Sequence, residues 1–551
     1  MLPPPALRGV FRTDLRARAA YAEGAGIYRI LPQAVSCPLD INDVKSLISW
    51  AAENRVALVP RGAGSGMGGG NVGGGIAVDL TRVDRRIQVD ASSRRATTGT
   101  SVTLAQLNSA AAQHGLRLPP DPSSGRWATL GGMVSTNASG ARSVRYGSVR
   151  PWVQGLTLAT AEAETVELVR GATGHCDAQA LDRFDRIADP SIQSAGAQIT
   201  ERFPRTRKNS SGYALDAYLA SGDRLDLIIG AEGTLGIITE IEWRLDAIPA
   251  FRAGIRVQLP SLDHLTDAVA ALNRCEPSAL ELLDRSFLDL VGTDALVGAG
   301  IGNRPDAILL VELERDNAEL LRRDLSQATD AAAPWAVSVD VAHTPADSER
   351  LWAIRHAASP ILAGLPEDRR SLQVIEDGCI PLERMGEYIT TVRRLAADRD
   401  LQVVMFGHAG DGNIHVNLLP QLSRTDWEAQ VAGLLEDVTA AVIRLGGTPS
   451  GEHGDGRLRA GTLQDVYGAE IVALFRDIKR AFDPLGIFNP GIILPSGEPP
   501  ISRLKVGANS APIPTDIQRA LREIELTGGY GRCRLELAGE VGSRESGVGS
   551  S

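Results

Sequence analysis

Aromatic side chains are scarce in this 551-residue chain, at 4% of the total. Basic charge is also in deficit. The 57 lysines and arginines face 67 aspartates and glutamates, for a formal net charge of −10. A nucleic-acid partner needs a basic footprint, so none is expected. A local patch that touches a membrane surface or a redox partner stays compatible with that charge. No apolar run reaches the roughly 18 residues of a transmembrane helix. The opening Met1-Leu-Pro-Pro-Pro5 lacks a basic stretch followed by an apolar one, so no secretory leader is expected. The five cysteines, Cys37, Cys176, Cys275, Cys379 and Cys533, are scattered and form no C-x-x-C pair. Neither a disulfide framework nor a cysteine-held iron–sulfur cluster is expected. The cytoplasm is the simplest compartment.

What is abundant is glycine, with 58 residues, in a chain of ordinary globular composition at 43% hydrophobic and 23% charged. The length calls for two or three domains. The spacing predicts a helix over 40–54, capped by Asp40 or Asn42, with Val44, Leu47, Ile48, Ala51 and Ala52 facing inward. A strand, Val56–Val59, leads into Pro60-Arg61-Gly62-Ala63-Gly64-Ser65-Gly66, and a second strand follows at Ile76–Leu80. A Rossmann turn must run directly into a helix. Here the next element is a strand, so the loop reads as an anion nest of bare N–H groups. A flexible linker is the plainer alternative.

A hairpin is expected at Arg86–Asp90 and Arg94–Thr98. A helix should start at Thr103 with a capping box to Gln106, and Gly115 should end it. A tract of small and polar residues follows: Leu118-Pro-Pro120-Asp121-Pro122, Thr129-Leu-Gly131-Gly132, Thr136-Asn137-Ala-Ser139-Gly140 and Arg145-Tyr146-Gly147. It suits a wall around an extended polar ligand such as a dinucleotide. A third glycine tract, Glu232-Gly233-Thr-Leu-Gly236-Ile237-Ile238-Thr-Glu240, precedes a strand.

The second half carries three chemical features. Val403–Leu418 reads as a β-hairpin turning at Asp411-Gly412, a type I′ signal. That register sets His408 opposite His415, with Asn417 on the same face. Two facing imidazoles are half of a metal site, or an ordinary hydrogen-bonded pair. In Leu351–Ser359, Arg355 lies one helical turn from Ser359. Its guanidinium suits a carboxylate ligand or a surface ion pair. In Pro449–Gly456, Glu452 and His453 are adjacent in a glycine-rich stretch and can point to different targets. Residues 496–551 are rich in glycine, serine and proline at both ends, with one helix expected at Asp516–Leu526.

Taken together, Arg61-Gly-Ala-Gly64, Leu130-Gly-Gly132 with Thr136-Asn-Ala138, and Gly233–Glu240 resemble the FAD-binding domain of the vanillyl-alcohol-oxidase / p-cresol methylhydroxylase (PCMH) type. With Gly407-His-Ala-Gly-Asp-Gly-Asn-Ile-His415, Ser450-Gly-Glu-His-Gly454 and the closing Asn489-Pro-Gly, the chain is similar to FAD-linked D-lactate dehydrogenases and the FAD subunit of glycolate oxidase. The resemblance implies an α+β fold. A two-subdomain PCMH-type FAD-binding domain would span 36–248. An α+β FAD-linked oxidase C-terminal (cap) domain would span 249–495, its final segment returning to the FAD domain. An N-terminal arm, 1–35, and a partly disordered tail, 496–551, would flank them.

The same resemblance implies FAD held by Pro60 to Gly66, Pro120, Asp121, Gly131, Gly132, Thr136, Asn137, Ser139, Gly140, Tyr146, Gly147, Glu232, Gly233, Gly236, Ile237, Ile238 and Asn489. Ser65 stands where some members carry the histidine that bonds the flavin, which implies non-covalent FAD. His408, His415 and Glu452 would bind a divalent metal (Zn, Mn or Fe). His453 would be the general base, and Arg355, Ser359 and Asn417 would face the substrate. The implied reaction oxidises a D-2-hydroxy acid to the 2-oxo acid by hydride transfer to flavin N5. Relatives acting on D-2-hydroxyglutarate carry a lysine just before the Asp377-x-x-x-Pro381 segment, where Ile375 stands here. That favours D-lactate or glycolate. Electrons would leave to an external quinone, cytochrome, electron-transfer flavoprotein or Fe–S partner subunit. Peripheral contact at the inner face of the membrane and a homodimer are compatible with this reading. Three alternatives stay open: a D-2-hydroxyglutarate dehydrogenase, a redox-neutral flavoenzyme on the same fold, and a non-catalytic flavin-binding subunit.

Overall fold

The computed structural model describes residues 3–172, 178–301, 305–531 and 533–539, so Cys176 lies outside the described residues. The N-terminal sheet contains β1 (Val10–Arg12), β2 (Ala34–Cys37), β3 (Leu58–Arg61) and β4 (Ile76–Asp79) in the order β1-β2-β4-β3. β4 runs parallel to both β2 and β3. The helix Ile41–Asn54 covers this sheet. Asp40 caps it by accepting from the Asp43 N–H, and Val44, Leu47, Ile48 and Ala51 are buried. The glycine loop after Pro60 therefore joins two strands, and no helix receives it.

The second sheet follows. β5 (Ile87–Asp90) and β6 (Arg95–Gly99) form the expected hairpin, and β7 (Leu116–Arg117) follows a helix, Leu104–Ala112, whose capping box joins Thr103 and Gln106. With β8 (Val153–Ala159), β9 (Thr165–Val169) and β10 (Ile237–Arg244) the strand order is β5-β6-β10-β8-β9. β11 (Asp246–Ala247) pairs with β7.

The chain then crosses into a seven-stranded antiparallel sheet. Its strands are β12 (Phe251–Leu259), β13 (Ala279–Asp284), β14 (Ala307–Arg315), β15 (Ser338–Ala342), β16 (Gly378–Cys379), β17 (Gln402–His408) and β18 (Asn413–Leu419). The order is β15-β12-β14-β13-β17-β18-β16. Helices including Leu265–Asn273, Ala318–Ala332, Met385–Ala397 and Trp427–Arg444 supply the residues that close its core. The helix Ala469–Phe482 returns to the FAD-side core through Phe475, Ile478 and Phe482, and Ile487 and Phe488 pack on the N-terminal sheet.

Two expectations need correction. The hairpin does not turn on Asp411-Gly412 alone. Residues Ala409–Asp411 form a 3-10 turn, and of Asp411 and Gly412 only Gly412 is left-handed, at φ 74°. Asp411 is buried and accepts from Ser143 Oγ at 2.6 Å, which holds it in the turn. The loop is longer by two residues, so His408 pairs with Asn413 and Phe406 with His415. A shift of two keeps every side chain on its face. The histidines are therefore diagonal neighbours on the intended face.

The second correction concerns the tail. Residues 496–531 and 533–539 do not trail away. The helix runs Thr515–Thr527, and Ile517, Leu521, Leu535 and Ala538 bury themselves against Ala17, Ala20 and Tyr21 of the N-terminal arm. Ile517 and Leu521 are one helical turn apart, the spacing of an apolar face.

Candidate active site

A cavity of about 1210 Å³ opens between the glycine-rich loops and the seven-stranded sheet. On one side, Pro60 to Gly66, Asp121, Gly131, Gly132, Thr136, Ser139, Gly140, Glu232, Gly233 and Gly236 to Ile238 line it. Glycine is needed where these loops meet. A Cβ on Gly62 would lie 2.2 Å from Thr129 Oγ1, and Thr129 caps the helix Leu130–Thr136 through the Gly132 N–H. Bare backbone N–H groups and a helix start suit a diphosphate. Thr100 Oγ1 and Asn71 Oδ1, from residues on this wall, are buried without a hydrogen-bond partner among the described residues. The wall thus fits an extended polar cofactor such as FAD.

Five expected residues stand off this wall. Asn489 donates from Nδ2 to the carbonyls of Gly70 and Glu232, tying two of the loops together. Asn137 closes the helix Leu130–Thr136 in a left-handed conformation, at φ 51°. Tyr146 turns its hydroxyl to Glu314 at 2.7 Å, Gly147 ends the helix Ser143–Tyr146, and Pro120 is buried before Asp121. Arg61 and Glu232 line the cavity yet spend their charged ends on the scaffold. Arg61 donates to the carbonyls of Glu23 and Asn71, and Glu232 accepts from the Asp455 and Gly456 N–H groups. Burial, together with Asp455, pushes the Glu232 carboxyl up to about 8.

The opposite wall is built from charged side chains. His408, His415 and Glu452 each offer one donor atom, and the three lie within 4.8 Å of one another. His408 Nε2 is 3.3 Å from His415 Nε2 and 3.1 Å from Glu452 Oε1, and His415 Nε2 is 3.4 Å from the same oxygen. The other ring nitrogens are fixed from behind. His408 Nδ1 meets Glu281 Oε1 at 2.5 Å, and His415 Nδ1 meets the Glu376 carbonyl at 2.8 Å. Such backing orients imidazoles for a metal. Two imidazoles and a carboxylate facing a common point fit a divalent cation. Lys208 Nζ at 2.9 Å and Ser139 Oγ at 2.5 Å hold the far oxygen of Glu452. Burial opposes that carboxylate's charge, but Lys208 and then His408 hold its pKa well below the usual range.

His453 stacks on His415, with ring centroids 5.3 Å apart, and its Nδ1 bonds Glu376. Arg459 holds the other Glu376 oxygen at 2.5 Å. Burial disfavours charge on His453, yet Glu376 and Asp377 outweigh it and raise the ring to about 10. Arg355, on the helix Pro345–His356, donates from Nε to Glu281 Oε2 at 2.9 Å and lies over the Phe406 ring. Asn417 lines the cavity and accepts from Ser371 Oγ at 3.2 Å. The Ser359 side chain lies outside the described residues.

Sequence reasoning missed Glu281, Glu376 and Lys208. Glu281 carried a signal, as the only charge inside the apolar run Ala279–Leu283. β13 pairs Leu282 with Gly407, and continuing that ladder by one residue brings Glu281 beside His408. Lys208 sits among polar loop residues with nothing local to mark it.

Residues 32–169 match the FAD binding domain family, and residues 248–493 match the C-terminal domain of FAD linked oxidases. A D-lactate dehydrogenase of Anaerostipes hadrus is 30% identical over 84% of this chain and 89% of its own length. The glycolate oxidase subunit GlcD of Bacillus subtilis is 28% identical over 84% and 89%, respectively. A D-2-hydroxyglutarate dehydrogenase of Xanthomonas citri pv. viticola is 28% identical over 85% and 90%. Among solved structures, 4-ethylphenol oxidase from Gulosibacter chungangensis superposes with a TM-score of 0.63 at 15% identity, over 88% of this chain and 94% of that one, and shows the shared fold. With this PCMH-type architecture and its FAD-binding and oxidase C-terminal domains, the chain belongs to the family of FAD-linked oxidoreductases that includes the D-lactate dehydrogenases and the glycolate oxidase FAD subunit.

Proposed function

We propose that the chain oxidises a small D-2-hydroxy acid, D-lactate or glycolate, to the 2-oxo acid and delivers the electrons to an external acceptor. The observation that supports this most is convergence. Arg355, His453 and the His408–His415–Glu452 trio share one cavity with the glycine-rich loops. FAD, held non-covalently along those loops, would supply the hydride acceptor at N5, and a divalent cation (Zn, Mn or Fe) held by the trio would supply Lewis acidity.

The protein's own groups do the rest. Arg355 is anchored at Nε by Glu281, and among the described residues no carboxylate is paired with its Nη atoms. That edge is the one suited to a bidentate carboxylate. Glu281 also holds His408, so a single carboxylate sets the clamp in register with the trio. Glu376 fixes His453 through Nδ1, which leaves Nε2 as the atom that takes the hydroxyl proton. Positive charge held by the trio would oppose a second charge on the neighbouring His453 ring. Trp352 and Phe406 give the cavity an apolar flank that limits water.

A dicarboxylate substrate, D-2-hydroxyglutarate, is the second reading, because Arg370 and Arg522 also line the cavity. Both are engaged: Arg370 pairs with Glu525, and Arg522 pairs with Glu367 at 3.0 Å and Glu525 at 3.1 Å. Ile375 is buried in the cap-side core. These points support a monocarboxylate. The acceptor would be a quinone, a cytochrome, an electron-transfer flavoprotein or an Fe–S partner subunit. Among the described residues no helix is long and apolar enough to cross a membrane.

Steady-state reduction of dichlorophenolindophenol tests the reading. D-lactate or glycolate should drive it, with the matching 2-oxo acid as product. Faster turnover of D-2-hydroxyglutarate would favour the second reading. Dye reduction by none of the three would sink both, and peroxide formed in air without dye reduction would make the protein an oxidase.

A further inference from the structure

Two cysteines from opposite ends of the chain meet away from the cavity. Cys37 ends β2, and Cys533 lies 496 positions later, between the helix Thr515–Thr527 and the short 3-10 segment Arg534–Ala538. Their Sγ atoms are 4.0 Å apart and both thiols are free. The Tyr21 hydroxyl touches both, at 3.6 Å from Cys37 Sγ and 3.5 Å from Cys533 Sγ. Cys37 has no exposed surface, whereas Cys533 is partly exposed. The segment carrying Cys533 also forms one wall of the cavity, through Arg522, Glu525, Leu526, Thr527, Gly528 and Tyr530. The state of this thiol pair therefore bears on how firmly that wall is held.

We propose that Cys37 and Cys533 form a reversible disulfide that fastens the C-terminal segment over the cavity. Closing from 4.0 Å to a bond of about 2.05 Å requires a small displacement of Cys533, which sits on a loop, while Cys37 stays fixed in the sheet. A metal held by the same cluster fits less well. Asp79 is the third donor in reach, and its carboxylate is already engaged by the Tyr21 hydroxyl and by Thr81, through N at 2.9 Å and Oγ1 at 2.6 Å. Cys533 is the attacking group, because it is accessible and its pKa is lowered, first by its hydrogen bond with Cys37.

The oxidant is a small disulfide such as glutathione disulfide. The Cys533 thiolate attacks one of its sulfurs, the small S–S bond breaks and one thiol leaves. The Cys37 thiolate then attacks Cys533 Sγ, the mixed disulfide breaks and the second thiol leaves. Two protein thiols are oxidised and one small disulfide is reduced to two thiols. The two protons given up by the protein thiols end on the released thiols.

The test uses the full-length protein, equilibrated with glutathione disulfide or with dithiothreitol, then alkylated and mapped without reduction. The expected result is a peptide joining Cys37 to Cys533, an intact mass before alkylation lower by two hydrogens, and reversal by dithiothreitol. Amide exchange over Thr515–Thr527 should be slower in the oxidised form. Cys533→Ser should show neither the link nor the difference in exchange. A lasting glutathione adduct on Cys533, a bond to a different cysteine, unreactive thiols, or a thiolate-bound metal released by a chelator would each overturn the proposal. So would a Cys37–Cys533 link that leaves exchange over Thr515–Thr527 unchanged.

Discussion

The two walls of the cavity are made of different material. The FAD-side wall presents backbone: its glycines let loops approach one another closely. The cap-side wall presents charge, with Glu281, Glu376, Arg355, His408, His415, Glu452 and His453 linked in one largely buried network that Lys208 backs from the FAD side. A backbone wall recognises shape and tolerates change at most of its side chains. A charged wall has no such slack, because removing one member strands its partners in low dielectric. The contrast teaches where function is brittle.

The sharpest break should come from Glu452→Ala. It takes from the buried Lys208 ammonium its nearest carboxylate, leaving only Asp411 at 3.8 Å, which costs up to about 3–5 kcal/mol, and it removes a trio donor. Thermal unfolding should show the loss of stability. Metal analysis should show no bound divalent ion, and turnover should vanish. His453→Ala should lower turnover by about 10²–10⁴-fold while FAD and metal content stay near wild type. Substantial remaining activity would remove His453 from the role of base.

Acid stability separates the walls in another way. Burial raises the Glu281 carboxyl, but His408 and Arg355 outweigh it and hold the pKa down to about 2 from an ordinary 4.5. A depressed carboxylate stabilises the fold above its unfolded pKa and loses that contribution as pH falls through the folded value. The window therefore opens near pH 4.5 and closes near pH 2. Glu281→Gln should be less stable near neutrality and lose less across the upper part of that window, as read by urea unfolding of metal-free protein. An unchanged pH slope would contradict the pairing.

The smallest effect should come from the glycine wall. Gly62→Ala sets a Cβ 2.2 Å from Thr129 Oγ1, so the cap on the helix Leu130–Thr136 must give way. Loss of a helix cap costs about 0.5–2 kcal/mol. The variant should hold FAD more weakly and keep its metal, as shown by flavin and metal content after dialysis. Loss of metal with flavin retained would reverse the assignment of the walls.

What was legible in the sequence follows the same division. Local signals read well: the capping box at Thr103, the Asp40 cap and the glycine loops are short-range features and stand where expected. The hairpin was legible in its faces and misread in its register, since Asp411 answers to Ser143, 268 residues away. The support of the charged wall was largely hidden. Glu281 reaches His408 across 127 positions and Lys208 reaches Glu452 across 244, and no local pattern encodes either pairing. Beyond Pro495 the helix was legible, but its packing was not, because Ile517 and Leu521 meet Ala17, Ala20 and Tyr21 about 500 positions earlier in the chain.

The most direct measurement is an anaerobic titration of the purified protein with D-lactate, glycolate and D-2-hydroxyglutarate, with and without a chelator, followed by flavin absorbance. The account predicts bleaching by D-lactate or glycolate, lost when the chelator strips the metal while the flavin stays bound. No bleaching by any hydroxy acid would contradict it, and full bleaching of demonstrably metal-free protein would remove the metal from the reaction.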